Sequence, residues 1–247
     1  MFPHACFLLL ISTLISTGIM SCQKQNQDPL AHHYLPLEAK NGGIIHQFEG
    51  TGFQQGKEYW YYNLQQTADS TQLIVTIYDQ DLNQQQVSVE KPLVNGWIQK
   101  QLLLIFPDSV GARSEKAIIH TGNKFAFDLK DSLDVLHYSL EWTEMLDQEK
   151  VTKRLFRNSR FMGFDTVEFM GEIHRAAHIM SRDKIEDDRE GTLTLDLKSD
   201  DFYVKNWGLV RKKQFYLKNG KEILMREIQL TDTLRMADLE QILKDKN

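Results

Sequence analysis

Two histidines, His174 and His178, have the spacing in this sequence that comes closest to a metal site. On a helix, residues four apart share a face and could bind one metal ion. On a strand they also share a face, but at roughly 3.3 Å per residue they lie about 13 Å apart, too far to bind the same ion. Val167, Phe169 and Ile173 follow a period of two, which favours the strand. We therefore expect no metal here, and the pair is a candidate only if the segment is helical.

Four consecutive aromatic residues, Tyr59, Trp60, Tyr61 and Tyr62, are the candidate ligand-binding residues. On a strand they project to both faces, so rings are available to stack on a sugar or to contact a lipid tail. The commoner role of such rings is packing between strands of a sheet. Both interpretations stay open at this stage.

The sequence contains no pattern typical of a catalytic site. No Gly-x-Ser-x-Gly turn surrounds a serine, and no glycine-rich phosphate loop occurs. Carboxylates are too numerous to single out a pair. We predict a protein with no catalytic residue and no cofactor, although a site assembled from distant segments stays open.

The segment Ile19-Met20-Ser21-Cys22 ends an apolar stretch that is too short to span a bilayer about 30 Å thick. It resembles the lipobox of bacterial lipoproteins. That resemblance implies cleavage before Cys22, a diacylglyceryl group on its thiol and an acyl chain on its new amino group. The expected organisation is a signal peptide at 1–21, a polar tether at 22–33 and one extracytoplasmic domain at 34–247.

Acylation of Cys22 leaves no free thiol, because the other cysteine, Cys6, belongs to the signal peptide. A disulfide, a cysteine-ligated zinc and a cysteine nucleophile are therefore excluded from the mature chain. The 29 Lys and Arg against 34 Asp and Glu give a net charge of -5, which argues against nucleic-acid binding. The expected partners are the membrane, through the lipid, and an envelope protein, glycan or lipid. Gln23 after the cysteine favours the periplasmic face of the outer membrane.

Alternating apolar residues predict a mainly β, antiparallel fold of about ten to twelve strands. Leu136, Tyr138, Leu140 and Trp142 form one such series, and Leu193, Leu195 and Leu197 form another. Asn219-Gly220 between two alternating runs predicts a hairpin with a type I′ turn. This number of strands demands a curved sheet, a sandwich or a partly open barrel.

The C-terminus is expected to form a short helix that begins at a cap provided by Thr231, Asp232 or Thr233. Its apolar residues Leu234, Leu239, Ile242 and Leu243 predict packing against the sheet, with partner binding as the alternative.

Two charged segments are predicted to lie at the surface. Segment 183–190 mixes both signs and predicts an exposed loop. The basic residues are expected on a solvated strand face, with contact to anionic lipid as the alternative; they are Lys150, Lys153, Arg154, Arg157 and Arg160.

Three separated segments are similar to uncharacterised lipoproteins of Bacteroidota. They are the Y-x-P-L opening at 34–37, the aromatic strand at 58–62 and the late G-L-V strand around 208–210. That family has no established activity, so the resemblance implies no catalytic residue.

Three functions remain. The favoured one is a non-catalytic binding or structural domain on the cell envelope. The first alternative is a carrier of apolar cargo, which needs an apolar concavity of several hundred Å³. The second is a hydrolase, which needs polar residues with shifted pKa values in one cleft.

Overall fold

A computed structural model of the chain describes residues 30–40, 42–53, 55–108, 111–146, 149–189 and 194–246. The predicted signal peptide and lipobox with Cys22, the predicted tether up to Pro29, Glu190 and Leu193 lie outside these ranges. The described strands are β1 (Ile44–Gly52), β2 (Gly56–Gln66), β3 (Thr71–Tyr78), β4 (Gln84–Leu93), β5 (Gly96–Asp108), β6 (Gly111–Lys116), β7 (Ile118–Ala126), β8 (Val135–Leu146), β9 (Glu149–Phe169), β10 (Glu172–Asp187), β11 (Thr194–Val204), β12 (Gly208–Lys218) and β13 (Lys221–Leu234). The described helices are α1 (Ala31–Tyr34) and α2 (Met236–Lys246), and a 3-10 turn covers Leu37–Lys40.

The strands form an up-and-down antiparallel barrel. Strands that are consecutive in the chain are neighbours in the sheet, except β6 and β7. The first strand, β1, pairs with the last, β13, to complete the ring. The strands β6 and β7 lie end to end along β5, so the ring contains twelve strands and β6 is an additional one. The prediction of a mainly β, antiparallel fold is confirmed, and the barrel is closed. Closure pairs the strand edges that an open sheet would expose.

The hairpin between β12 and β13 has the predicted two-residue turn. Lys218 pairs with Lys221, and both turn residues have positive φ, 52° at Asn219 and 75° at Gly220. A type I′ turn requires positive φ at both positions, so this prediction is confirmed. The β9–β10 hairpin has a matching turn at Met170 and Gly171, with φ of 52° and 80°.

The chain enters the barrel at one end, which we call the plug end. There Asn206 in the β11–β12 turn donates its backbone N–H to the carbonyl of His32, and Leu37 N donates to Asn206 O. Leu30 and His33 are buried. The folded part therefore already includes residues 30–33, which the sequence assigned to the tether.

Helix α2 packs on the outside of the barrel, where Leu239 is buried with Ile45 and Tyr59. The predicted C-terminal helix and its packing through Leu239 are confirmed, whereas Leu243 is exposed and the predicted cap is wrong. Residues 231–233 belong to β13, and Asp238 Oδ2 accepts a hydrogen bond from Arg235 N at the start of the helix. In the described part of the chain, neither helix is long and apolar enough to cross a membrane.

The segment predicted as an exposed loop, 183–190, is largely strand. Residues up to Asp187 belong to β10. Residues 183 to 186 pair with both neighbouring strands, β9 and β11. Asp183 and Asp187 are buried. The prediction was wrong because Asp183 points into the barrel, where the partly buried Arg157 balances its charge.

Candidate functional site

The interior of the barrel contains a group of ionisable side chains. Three basic and three acidic side chains interact there, and we call them the lumenal charge cluster: Glu90, Lys124, Arg157, Asp183, Asp201 and Lys212. They come from β4, β7, β9, β10, β11 and β12. Alternation along each strand turns these side chains inward. Their formal charges sum to zero.

The strongest contact in the cluster joins Arg157 to Asp183. Arg157 Nε and Nη2 donate to the two carboxylate oxygens at 2.7 and 2.6 Å. The residues face each other across β9 and β10. Burial by itself raises the pKa of Asp183, but the attraction and hydrogen bonds of Arg157 outweigh it, so the pKa is lowered. The pair is therefore ionised inside the barrel.

A second ion pair and a lysine complete the positive side of the cluster. Lys212 Nζ lies 3.4 Å from Asp201 Oδ1, across β11 and β12. Lys124 Nζ lies 5.5 Å from the centre of the Tyr138 ring, on its face. Burial lowers the pKa of Lys124, and attraction to Glu90 opposes this effect only in part.

Glu90 is held by two hydroxyl groups, and one of them comes from the plug. Tyr34 OH donates to Glu90 Oε2 at 2.6 Å, and Ser88 Oγ donates to Glu90 Oε1 at 3.0 Å. Burial, followed by the nearby Glu90 charge, raises the pKa of Tyr34 well above its ordinary value. The Tyr34 ring packs against Phe125 with centres 4.8 Å apart. The N-terminal segment therefore seals the lumen with a neutral phenol that donates to a buried carboxylate.

The Y-x-P-L opening contacts the late G-L-V strand. Gly208 has a φ of 73°, and a Cβ atom there would lie 2.9 Å from Tyr34 O and 3.0 Å from Pro36 Cδ. Glycine is thus required both by the backbone conformation and by the close approach. These two motifs, which are far apart in the sequence, therefore form one structural unit that covers the plug end of the barrel.

The free volume beside the lumenal charge cluster is small. The cavity measures about 110 Å³, and Trp60, Tyr62, Val75, Lys124 and Arg157 are among the residues that line it. A carrier of acyl chains needs a larger and apolar concavity. The polar groups do converge, as a hydrolase requires, and Arg157, Asp201 and Lys212 line the cavity. Arg157 is paired with Asp183, and Lys212 is paired with Asp201.

The four aromatic residues of β2 divide between the two faces of the barrel wall. Trp60 and Tyr62 line the cavity, and Tyr59 and Tyr61 lie outside in the cluster that contains Leu239 of α2. Tyr59 and Tyr62 are buried, whereas Trp60 and Tyr61 are half-buried. Burial raises the pKa of Tyr62. The ligand-binding assignment stays a prediction: Trp60 and Tyr62 face the lumen, whereas Tyr59 and Tyr61 face the outside.

The two candidate metal-binding histidines lie on strand β10, and each has its own partners. His178 Nε2 is 3.0 Å from Asp200 Oδ1, and the ring stacks on Phe202 at 4.7 Å. The His174 ring lies 4.4 Å from that of Phe169. Across the described residues, no three His, Cys, Asp or Glu side chains are grouped as metal ligands.

The basic residues of β9 do not form a single face. Arg157 points into the lumen, whereas Arg154 contacts Glu141 on the exposed side. The prediction of one solvated face is wrong for Arg157, because alternation separates residues three apart onto opposite sides of a strand.

Most residues of the lumenal charge cluster carry no recognisable pattern in the sequence. Only Arg157 and Asp183 lie in segments that the sequence singles out, and both were assigned to the surface. One pattern in the sequence could have indicated the cluster: a charged residue and a serine stand two positions apart, on the same face, on each of two neighbouring strands. These pairs are Arg157 with Ser159 on β9 and Ser181 with Asp183 on β10. The two serine hydroxyls are 2.8 Å apart.

Comparison with known proteins places the fold in a class seen in exported bacterial proteins. No family model matches the chain, and no curated protein matches it. Among solved structures, "a putative exported protein with YmcC-like fold" from Bacteroides fragilis is 13% identical, with a TM-score of 0.51, and covers 82% of this chain and 99% of that chain.

A second solved structure, of "a putative lipoprotein" from Parabacteroides distasonis, has the same identity of 13% and the same TM-score of 0.51. It covers 82% of this chain and 98% of the other. The hypothetical lipoprotein YmcC from Escherichia coli is 11% identical over 81% of this chain and 88% of that chain, but its TM-score of 0.34 carries no argument. At these identities the likeness shows the fold alone.

Proposed function

We propose that this protein is a lipid-anchored barrel of the cell envelope whose folded part is a non-catalytic binding or structural domain. The lipobox supports the anchor, and two solved structures with a similar fold carry the descriptions of exported protein and lipoprotein. The expected position is the periplasmic face of the outer membrane. Cys22 is the acylated residue, with a diacylglyceryl group and an N-acyl chain.

One observation carries the non-catalytic part of this proposal. The lumen is occupied by ion pairs among its own side chains and retains a cavity of about 110 Å³. Moving a buried charge away from its partner is costly, so these side chains stay paired with one another rather than act on a substrate. Binding of an envelope protein or glycan then occurs on the outer surface.

The anchor is tested by expressing the full chain and the Cys22→Ser variant in a bacterium fed an alkyne fatty acid. The expected result is a labelled, membrane-bound protein whose mass fits cleavage before residue 22, and an unlabelled variant. The anchor would be refuted if the wild-type chain carried no label and was found in the same cell fraction as the Cys22→Ser variant.

The binding domain is tested by native mass spectrometry of residues 22–247 with Cys22→Ser after incubation with a lipid extract of the host membranes. We expect no acyl-chain adduct on the folded domain. A stoichiometric lipid adduct that is lost on Trp60→Ala, with Tyr61→Ala as the matched control on the outer face, would favour the carrier instead.

A further inference from the structure

Two turns at the plug end expose aliphatic side chains. Val94 lies in the β4–β5 turn with 97% of its surface exposed, and Leu133 lies in the β7–β8 loop with 82% exposed. Leu93 and Leu37 are each about half exposed at the same end. Exposed aliphatic residues are common singly, whereas a group on neighbouring loops marks a contact surface.

Hydrogen bonds join the two turns and fix the position of their tips. Phe127 N donates to Asn95 O, and Asn95 Nδ2 donates to Asp128 Oδ2 at 3.2 Å. Leu133 N donates to Asp131 Oδ1 at 2.7 Å. The carboxylate thus shapes a tight turn that presents the leucine outward.

The length of chain before the fold limits where an anchor can hold the barrel. Leu30 is buried at the plug end, and Cys22 precedes it by eight residues. Eight residues span at most about 29 Å, even when fully extended. An acylated Cys22 therefore holds Leu30, and with it the plug end, within about 29 Å of the membrane surface.

We infer that Val94 and Leu133 insert into the interface of the bilayer that holds the lipid anchor. This inference rests on the proposed anchoring at Cys22 and adds the orientation of the barrel. The contact is apolar rather than electrostatic. The β7–β8 loop holds one lysine, Lys130, and three aspartates, Asp128, Asp131 and Asp134, so anionic lipid repels it.

The test uses environment-sensitive dyes on single cysteines. The mature acylated chain has no free thiol, so Val94→Cys and Leu133→Cys can each be labelled at one site. The matched control is Phe53→Cys, which is 79% exposed in the turn after β1, at the opposite end. Full-length acylated variants are reconstituted into phosphatidylcholine vesicles, with or without lipid that carries a spin label near its head group.

The expected result is blue-shifted emission and quenching by the spin-labelled lipid at positions 94 and 133, and neither at position 53. Replacing a third of the lipid by phosphatidylglycerol should reduce the quenching. Equal quenching at all three positions, or none at 94 and 133, would overturn the inference. Protection from an aqueous quencher in native membranes, without quenching in pure vesicles, would also overturn it and indicate a protein partner.

The intact mass of each reconstituted protein separates the two proposals. A chain without acyl groups refutes the anchor itself. An acylated chain whose tips remain in water refutes only the orientation.

Discussion

Replacing Asp183 by asparagine tests whether the lumenal charge cluster is a buried and balanced network. The variant keeps the size of the side chain but removes the charge opposite Arg157. The side chain of Asp183 is 3% exposed and that of Arg157 is 23% exposed. Removing one partner of a buried ion pair costs about 3–5 kcal/mol. We expect about 3 kcal/mol, because Arg157 faces the cavity and Asp201 also attracts it.

The assay is urea unfolding of residues 22–247 with Cys22→Ser, followed by the fluorescence of the four tryptophans. With a slope of about 3 kcal/mol per M, the midpoint should fall by about 1 M. The matched control is Glu186→Gln on the same strand, whose pair with Lys184 is exposed to solvent and should shift the midpoint much less than Asp183→Asn does. The double replacement of Arg157 by Met and Asp183 by Leu should recover most of the loss.

The same variant should also differ from wild type in how its stability depends on pH in the acidic range. The folded-state pKa of Asp183 lies below the ordinary value of 3.8, so its contribution is present above that value and is lost as pH falls through the folded pKa. Wild type should therefore lose stability below about pH 4 more steeply than Asp183→Asn. The buried network would be refuted if Asp183→Asn lost no more stability than Glu186→Gln. It would also be refuted if wild type and Asp183→Asn lost stability equally as the pH fell.

Three further substitutions test other parts of the fold. Burial lowers the pKa of His46 to about 3, and neither ring nitrogen has a hydrogen-bond partner within the described residues. At pH 4 the imidazole is protonated in the unfolded chain but neutral in the folded one, so the free energy of unfolding of wild type should fall by about 3 kcal/mol more between pH 7 and 4 than that of His46→Leu. An equal fall for the two proteins in urea unfolding would contradict this. Tyr34→Phe removes the hydrogen bond to Glu90 and should cost about 2 kcal/mol in urea unfolding, and a neutral result would mean that the phenol does not hold the plug. Leu239→Ala should cost about 2.5 kcal/mol in thermal unfolding and speed hydrogen exchange throughout α2, whereas unchanged exchange would mean that the helix does not depend on this contact.

The fold class could be predicted because its signals are local. Alternation defines individual strands, and Asn219-Gly220 defines a turn by the φ values that those residues accept. The closure of the barrel depends on the pairing of β1 with β13, the first and last strands. No local pattern encodes that pairing, so the sequence left a sandwich, a curved sheet and a barrel as alternatives.

The position of the charge cluster could not be predicted for a different reason. Alternation shows that a strand has two faces, and the usual assumption is that the apolar face is inside. A ring of twelve strands encloses more space than a small barrel does, so some of its inward positions carry Arg157, Asp183 and their neighbours. The charges pair only across strands, and those pairs follow from the register rather than from spacing within a segment.

The N-terminal segment connects the anchor proposal to the interior of the barrel. Leu30 follows the cysteine by eight residues, and four residues later Tyr34 donates to Glu90 at the edge of the charge cluster. The first turn of the folded domain is therefore also a wall of the lumen. Because Gly208 leaves no room for a side chain against Tyr34 and Pro36, the segment is clamped where it enters the barrel. A short tether ending in such a clamp restricts the orientation of the domain at the membrane, which a tether joined to a loose terminus would not do.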